Sequence, residues 1–417
     1  MSNPPTPIQR FGVMSHPEFI AMMAMMIALT ALSIDVMLVA LPDIARDYSL
    51  SDPNDQQLVI ITYMIGFSLG QPLWGPLSDA VGRKPVLYAG FLIYALAAIA
   101  AALSSSFEAL LIARFIQGIG GASPRILSMA IVRDYSRGAG MAKAMSTLMT
   151  VFIIIPVLAP TFGSVILTVA DWHWLFGMLA LVSLGLFLWT TLRLEESHPA
   201  SKRSATTFTS VWFAARTVIT TRATVGYTLC VGFMLGMLMS YVSSAQQIFD
   251  VVYGESALFP LLFGIVASAI ALASILNSRF VIKVGIRRMC HTALVSFVVL
   301  GSAMGMLGFP AHPPLWLFMA FMFLGFFCFG FIAPNANALS MEPMGKVAGM
   351  ASSFVGFITS LMGAGLGGFL GQHFDGTVRP FVLGYLIFGL CALGVVLVTE
   401  KGHLWGRDQE RKASKAL

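Results

Sequence analysis

The chain has 417 residues, of which 57% are hydrophobic and 11% charged, far below the share of about 25% charged that soluble proteins carry. The formal net charge is +6, but the basic residues lie in loops between apolar runs, so membrane orientation accounts for them and nucleic-acid binding does not. Cys230, Cys290, Cys328 and Cys391 fall in apolar runs without metal or redox spacing, and the histidines form no ligand pair, which leaves neither a metal centre nor a disulfide framework.

Twelve stretches read as membrane spans: 18–41, 57–78, 86–104, 107–132, 142–167, 172–192, 224–246, 257–278, 289–308, 314–338, 347–371 and 380–399. Each suits a hydrocarbon core of about 30 Å, which takes about 20 helical residues. The first span, FIAMMAMMIALTALSIDVMLVALP, contains one charge, Asp35. A carboxylate inside a bilayer costs at least about 2.5 kcal/mol, and intramembrane ionisable groups are functional as a rule. Asp35 is therefore the candidate for proton exchange.

After the second span comes Gly75-Pro76-Leu77-Ser78-Asp79-Ala80-Val81-Gly82-Arg83-Lys84-Pro85. Gly82 permits a tight turn. Asp79 and Arg83, four apart, can pair with each other or with Arg133 and Asp134. In the fourth span, Arg114, Gln117, Gly118, Gly121 and Arg125 share one helical face, which must meet a wet cavity or polar neighbours. Arg114 and Asp35 lie at similar depth, about 10 Å in, and Arg114 is the natural partner of Asp35. Gly118, Gly120 and Gly121 follow no strand, so they signal close helix packing and not a dinucleotide loop. Pro156 and Pro160 in the fifth span each remove a backbone donor and bend a helix; with Gly163 they suit a joint between two halves.

The segment 193–222 is polar and basic. In it Val211, Trp212, Ala215, Val218 and Ile219 recur at helical spacing, predicting a helix on the membrane surface. In the seventh span Tyr227, Cys230, Met234, Met237 and Tyr241 line one face, which is either ordinary packing or lipid contact, the commoner role of such a stripe, or a wall of a greasy, adaptable pocket; Gln71, Gln117, Asn335 and Asn337 are further substrate-binding candidates. Gly363, Gly367 and Gly371 in the eleventh span form a small-residue packing seam.

Ala139-Gly140-Met141-Ala142 recurs as Ala348-Gly349-Met350-Ala351, and Gly82-Arg83-Lys84 is echoed by Gly285-Ile286-Arg287-Arg288. Both offsets are near half the chain length and indicate a duplicated six-helix unit. The expected organisation is bundles at 1–193 and 223–401, a cytoplasmic linker at 194–222 and a basic tail at 402–417. With the N-terminus cytoplasmic, 21 of the 25 Lys and Arg fall inside and only Arg46 and Arg379 outside, which puts both termini in the cytoplasm.

These motifs carry a resemblance. GPLSDAVGRKP is similar to the loop signature of the major facilitator superfamily. Arg114-Phe115-Ile116-Gln117-Gly118 resembles the second motif of that family, whose arginine is linked to proton transfer. Pro156-Val157-Leu158-Ala159-Pro160-Thr161-Phe162-Gly163 resembles the fifth-span motif of antiporters, with Ala159 where glycine is usual and Ser164 in place of the final glycine. Ser33-Ile34-Asp35-Val36-Met37 with Leu41-Pro42 resembles the first span of the twelve-helix drug/proton antiporter branch. Ala333-Pro334-Asn335-Ala336-Asn337-Ala338 is similar to the bicyclomycin/chloramphenicol-resistance (Bcr/CflA) efflux group. The resemblance implies an all-α integral membrane protein of two pseudo-symmetric six-helix bundles in a bacterial cytoplasmic (inner) membrane. It implies a proton-coupled antiporter exporting amphipathic or lipophilic small molecules, with Asp35 and Arg114 coupling protons and Gly75, Asp79, Gly82, Arg83, Lys84, Arg133 and Asp134 gating. A symporter importing a nutrient is the alternative. No nucleotide-binding, nucleophile-elbow or metalloprotease motif occurs, so no enzymatic activity is expected. The expected partners are a small-molecule substrate, protons and lipid, with no cofactor beyond the proton gradient, no metal and no nucleic acid, and a monomer as the acting unit.

Overall fold

The computed structural model describes residues 14–136, 138–203, 208–306 and 311–405. Among them every regular element is helical. The first crossing is α1 (His16–Asp35), a 3-10 turn (Met37–Ala40) and α2 (Leu41–Asp47); α3 (Leu58–Val81), α4 (Arg83–Ala102), α5 (Phe107–Tyr135), α6 (Gly138–Leu167) and α7 (His173–Arg193) follow. A short helix, α8 (Phe208–Thr220), precedes α9 (Arg222–Gln247), α10 (Phe259–Val284), α11 (Ile286–Met306), α12 (Leu315–Met341), α13 (Ala348–Gly371) and α14 (Arg379–Thr399). Eleven of these crossings are long and apolar enough to span a membrane. The twelfth is α6, a 30-residue helix whose stretch Ile154–Leu167 is apolar.

The ends of the helices follow from local chemistry. Ser15 and Ser106 cap α1 and α5, their hydroxyls accepting from the N–H groups of Glu18 and Ala109 at 3.3 and 3.2 Å, as N-cap serines do. Gly82 separates α3 from α4 at φ 107°, and Gly285 separates α10 from α11 at φ 94°, backbone angles that favour glycine. The repeated motif thus makes the same turn twice.

Apolar side chains point both ways. Met26, Phe91, Phe176, Tyr227 and Phe297 are buried, whereas Leu73, Leu96, Phe162, Leu181 and Phe369 are more than half exposed. A water-soluble protein does not display so broad an apolar surface; a lipid-facing one must. Close approach of helices replaces the hydrophobic drive inside the bundle. A Cβ on Gly118 of α5 would sit 2.1 Å from the Tyr63 carbonyl oxygen of α3, and one on Gly66 of α3 would sit 2.0 Å from that of Phe115.

The six helices of each half pack mostly among themselves, and two helix pairs make the main joints between the halves: α3 against α13 and α6 against α10. Each pair matches the second crossing of one half with the fifth of the other, as a two-fold repeat requires. The glycine seam of α13 lies in this region, with Gly367 against the Ser240 N–H of α9 and Gly371 against Gln57.

The surface helix is present as α8, but its apolar residues divide between two faces. Ala214 and Val218 are buried, and Val218 packs on Met344, Ala351 and Val355. Trp212 and Ile219 are about 60% exposed, as is Phe213, because the inner face already meets protein. Among the basic residues assigned to the inside, Arg10, Arg137, Arg407, Arg411, Lys412 and Lys415 lie outside the described residues, as does the tail from 406 and the side chains of Lys143, Lys202 and Lys346.

The α3–α5 contact generates a test. Gly118→Ala should lower stability by about 1–3 kcal/mol, the usual range for overpacking, read as a lower thermal midpoint in detergent. Gly177→Ala on α7, where no atom lies within 4 Å of an added Cβ, should leave the midpoint in place.

Candidate functional site

Asp35 is the last residue of α1, and the chain tightens into the 3-10 turn directly after it. A 3-10 segment inside a membrane-crossing helix marks a hinge or a local conflict in the hydrogen-bond ladder. The Asp35 side chain is 5% exposed, so it faces protein and not lipid. Among the described residues no hydrogen bond or ion pair reaches its carboxyl group.

Arg114 does not pair with it. The guanidinium is fully buried and spent on neutral acceptors: Nε donates to the Val59 carbonyl at 2.9 Å, Nη1 to Gln117 Oε1 at 2.7 Å and Nη2 to the Ser33 carbonyl at 2.9 Å. It also lies 4.4 Å from the centroid of the Tyr63 ring, an added cation–π attraction. The expected direct Asp35–Arg114 contact is therefore replaced by a backbone one, to the carbonyl of Ser33, two residues before Asp35 in the last turn of α1. Ser33 is held a second way, its hydroxyl donating to the Leu29 carbonyl at 2.6 Å and pairing with the Tyr94 hydroxyl of α4.

The far side of the break meets α6. A Cβ on Gly163 would lie 2.7 Å from both the Val36 carbonyl oxygen and Val39 Cγ2. Pro160 is buried and Pro156 half-buried, and α6 runs through both without interruption. The 3-10 turn also touches α9 of the other half. Asp35 thus stands where α1, α5, α6 and α9 converge.

A second cluster sits at the basic end of the bundle. Arg83 Nη1 donates to Asp79 Oδ1 and to Ser78 Oγ, both at 2.6 Å, and its Nε donates to Asp134 Oδ2 at 3.2 Å. The N–H groups of Arg83 and Lys84 donate to the Glu196 carboxylate at 2.9 and 3.1 Å. Lys84 lies over the Tyr88 ring. Arg133 is exposed and borders a cleft of about 290 Å³ that Gly75, Asp79, Arg83 and Asp134 share with Gly349, Met350, Ser352 and Ser353 of α13. The second half repeats the pattern, with Arg287 bonded to Glu342 at 3.0 Å and Glu400 at 3.4 Å. Sequence reasoning missed Glu196; nothing near it in the chain points to the turn 113 residues earlier.

The opposite end is closed by amides. Gln57 Nε2 donates to Gln247 Oε1 at 2.5 Å and to the Gly371 carbonyl at 3.1 Å. Asn54 Nδ2 donates to the carbonyls of Gln372 and Phe374 at 3.2 and 2.9 Å, and Gln372 Nε2 returns a bond to the Asn54 carbonyl at 2.7 Å. Gln247 Nε2 donates to Asn54 Oδ1 at 3.1 Å and to the Pro53 carbonyl at 3.0 Å. This seal was also missed, since four loop-end amides carry no sequence signature.

The substrate candidates separate. Gln71 ties the halves, its Nε2 donating to Ser360 Oγ at 2.6 Å. Asn335 is buried and donates to Asn277 Oδ1 at 2.7 Å, while Asn337 is exposed and Gln117 is occupied by Arg114. The α9 stripe packs into the interior. Tyr227, Met234, Met237 and Tyr241 are buried within the second half: Tyr227 donates to Glu400 at 2.6 Å and meets His291, and Tyr241 packs on Phe263, Phe326 and Phe381. The physical reason is that α9 turns this face to α12 and α14, and its glycine and serine face to α13.

Two six-helix halves, exchanged contacts between their second and fifth crossings and one interior acid at a helix break define a membrane transporter of the repeated-bundle class. The chain belongs to the major facilitator superfamily, whose sequence profile, Major Facilitator Superfamily, matches residues 23–367. The MFS-type transporter YdgK of Bacillus subtilis is 31% identical over 376 residues, spanning 89% of this chain and 92% of that one. A bicyclomycin resistance protein homolog of Haemophilus influenzae is 28% identical over 399 residues, 91% and 94% of the two chains. The multidrug resistance protein MdtL of Shewanella oneidensis is 31% identical over 340 residues, 78% and 81%. The fold is also that of the Escherichia coli xylose transporter XylE, with TM-score 0.70 and 14% identity over 93% of this chain and 98% of that one. The human organic anion transporter MFSD10 matches with TM-score 0.69 and 16% identity over 92% and 98%.

The Arg114 anchor predicts a separable effect. Arg114→Met leaves buried acceptors without their donor and should lower stability by about 1–3 kcal/mol, seen as a lower thermal midpoint. An unchanged midpoint would remove the anchoring role.

Proposed function

We propose that this chain is a proton-coupled antiporter that exports amphipathic or lipophilic small molecules from a bacterial cytoplasm through the inner membrane, with both termini cytoplasmic. The observation that carries the reading is Asp35, an interior acid without a bonded partner at the hinge of the first crossing. A lone carboxylate in a low dielectric is costly when charged, so its protonation state is sensitive to whatever enters beside it. Substrate and proton then compete for one region. The bicyclomycin and multidrug resistance names of the relatives support the substrate class.

In this reading residues 1–193 and 223–401 rock about the α3–α13 and α6–α10 contacts. Arg114 fixes the backbone that presents Asp35. Gly163 lets α6 lie directly against the hinge because it brings no side chain of its own to Val36 and Val39. The amide seal closes the periplasmic side, and the cluster of Asp79, Arg83 and Asp134 latches the cytoplasmic side when the cleft beside α13 closes.

Two outcomes test this. Bicyclomycin or chloramphenicol added to the detergent-solubilised protein in weakly buffered solution should release protons, and Asp35→Asn should abolish both the release and the resistance of an efflux-deficient strain. Full coupled transport by Asp35→Asn would end the proposal, and proton uptake on substrate addition would favour symport. Separately, a disulfide between Asn54→Cys and Gln372→Cys should stop export, and reduction should restore it, because the seal must part in each cycle.

A further inference from the structure

A groove of about 590 Å³ runs along the outside of the second half between α9 and α14. Arg222, Val225, Leu229 and Phe233 supply one wall, and Gly394, Val395 and Val398 the other. The α9 residues stand at steps 0, 3, 7 and 11, one continuous helical face. Eleven residues of helix cover about 16 Å, roughly half of a hydrocarbon core of about 30 Å. The groove therefore has the length of a single leaflet. It opens to the membrane and away from the convergence of helices around Asp35, so it is separate from the transport site.

Its depth comes from two glycines with opposite surroundings. At Gly226 an added Cβ would lie 1.8 Å from Thr399 Oγ1, so α9 and α14 touch there. At Gly394 no atom lies within 4 Å, so the groove is open at that level. Apart from Arg222, Thr220, Thr399 and Cys391 the rest of the lining is glycine, aliphatic or aromatic, which suits a hydrocarbon chain.

The mouth is cationic. Arg222 is exposed, and its Nη2 donates to the Val398 carbonyl, which fixes the guanidinium across the top of the groove. No carboxylate pairs with Arg222 among the described residues; the nearby Glu400 is engaged by Arg287 and Tyr227. Arg216 on α8 is also exposed, on the same face as Trp212 and Ile219. A helix that shows indole, aliphatic and guanidinium groups together lies at the headgroup level. Ile219 and Thr220 of that helix border the groove itself.

We propose that this groove is a binding site for one anionic phospholipid of the leaflet at the basic end of the bundle. One acyl chain lies along α9 and α14, and the phosphate rests on Arg222 with Arg216 beside it. A zwitterionic lipid fills the same groove with less electrostatic gain. The proposal stands whether the protein exports or imports.

Native mass spectrometry of the full chain, released from micelles doped with equal amounts of phosphatidylglycerol and phosphatidylethanolamine, tests it. One phosphatidylglycerol should be retained in preference by about fivefold, the gain expected from an arginine at an anionic surface. Arg222→Gln should erase the preference. Gly394→Leu should fill the groove and release lipid of either type, while the thermal midpoint in lipid-free detergent stays unchanged; Gly177→Leu should behave as wild type. Equal retention of the two lipids by the wild type overturns the proposal. So does a preference that survives Arg222→Gln, competition by glycerol phosphate without chains, or a dimer that Gly394→Leu dissociates.

Discussion

The guanidinium of Arg114 organises the first half. It is buried without a counter-ion and made tolerable by three well-placed acceptors and an aromatic face. Those acceptors belong to α1, α3 and α5, so one side chain clamps three helices in a layer where lipid offers no competing donor or acceptor. Removing a partner from such a network leaves a desolvated polar group, which is why it is rigid. Rigidity there has a purpose, because the next residues of α1 are the ones that change ladder type. Arg114 fixes the approach to Asp35 and leaves the carboxyl itself uncommitted.

The duplication explains how a rigid half can still move. The glycine turns at Gly82 and Gly285 and the arginine clusters at Arg83 and Arg287 appear at matching places in both halves. The main contacts between the halves fall on α3–α13 and α6–α10, two lines related by the same symmetry. In the alternating-access reading proposed above, motion about them would exchange one open side for the other while each half keeps its interior contacts.

How much of this was legible in the sequence depends on the kind of interaction. Span number, the repeat and the Arg83–Asp79–Asp134 cluster were readable, because hydropathy and short-range motif spacing encode them. The buried acid was readable for the same reason. Arg114's true partners were not: two of the three are backbone carbonyls, which every residue possesses, so no sequence pattern marks them. The stripe of Tyr227, Met234, Met237 and Tyr241 was visible as a stripe, but the choice between packing and pocket wall was not, since a helix apolar all round gives no sign of which face meets protein. Glu196 and the amides of Asn54, Gln57, Gln247 and Gln372 act across more than a hundred residues of chain and needed the fold to bring them together.

The amide seal has an electrical consequence. Every hydrogen bond across it joins neutral groups, so parting it moves no formal charge through the field. A unit charge carried across the membrane gains about 2.3 kcal/mol per 100 mV, and an uncharged gate gains none. The membrane voltage therefore has no purchase on this row of amides; it acts only on charges that travel elsewhere, and in the proton-coupled reading proposed above that charge is the proton on Asp35.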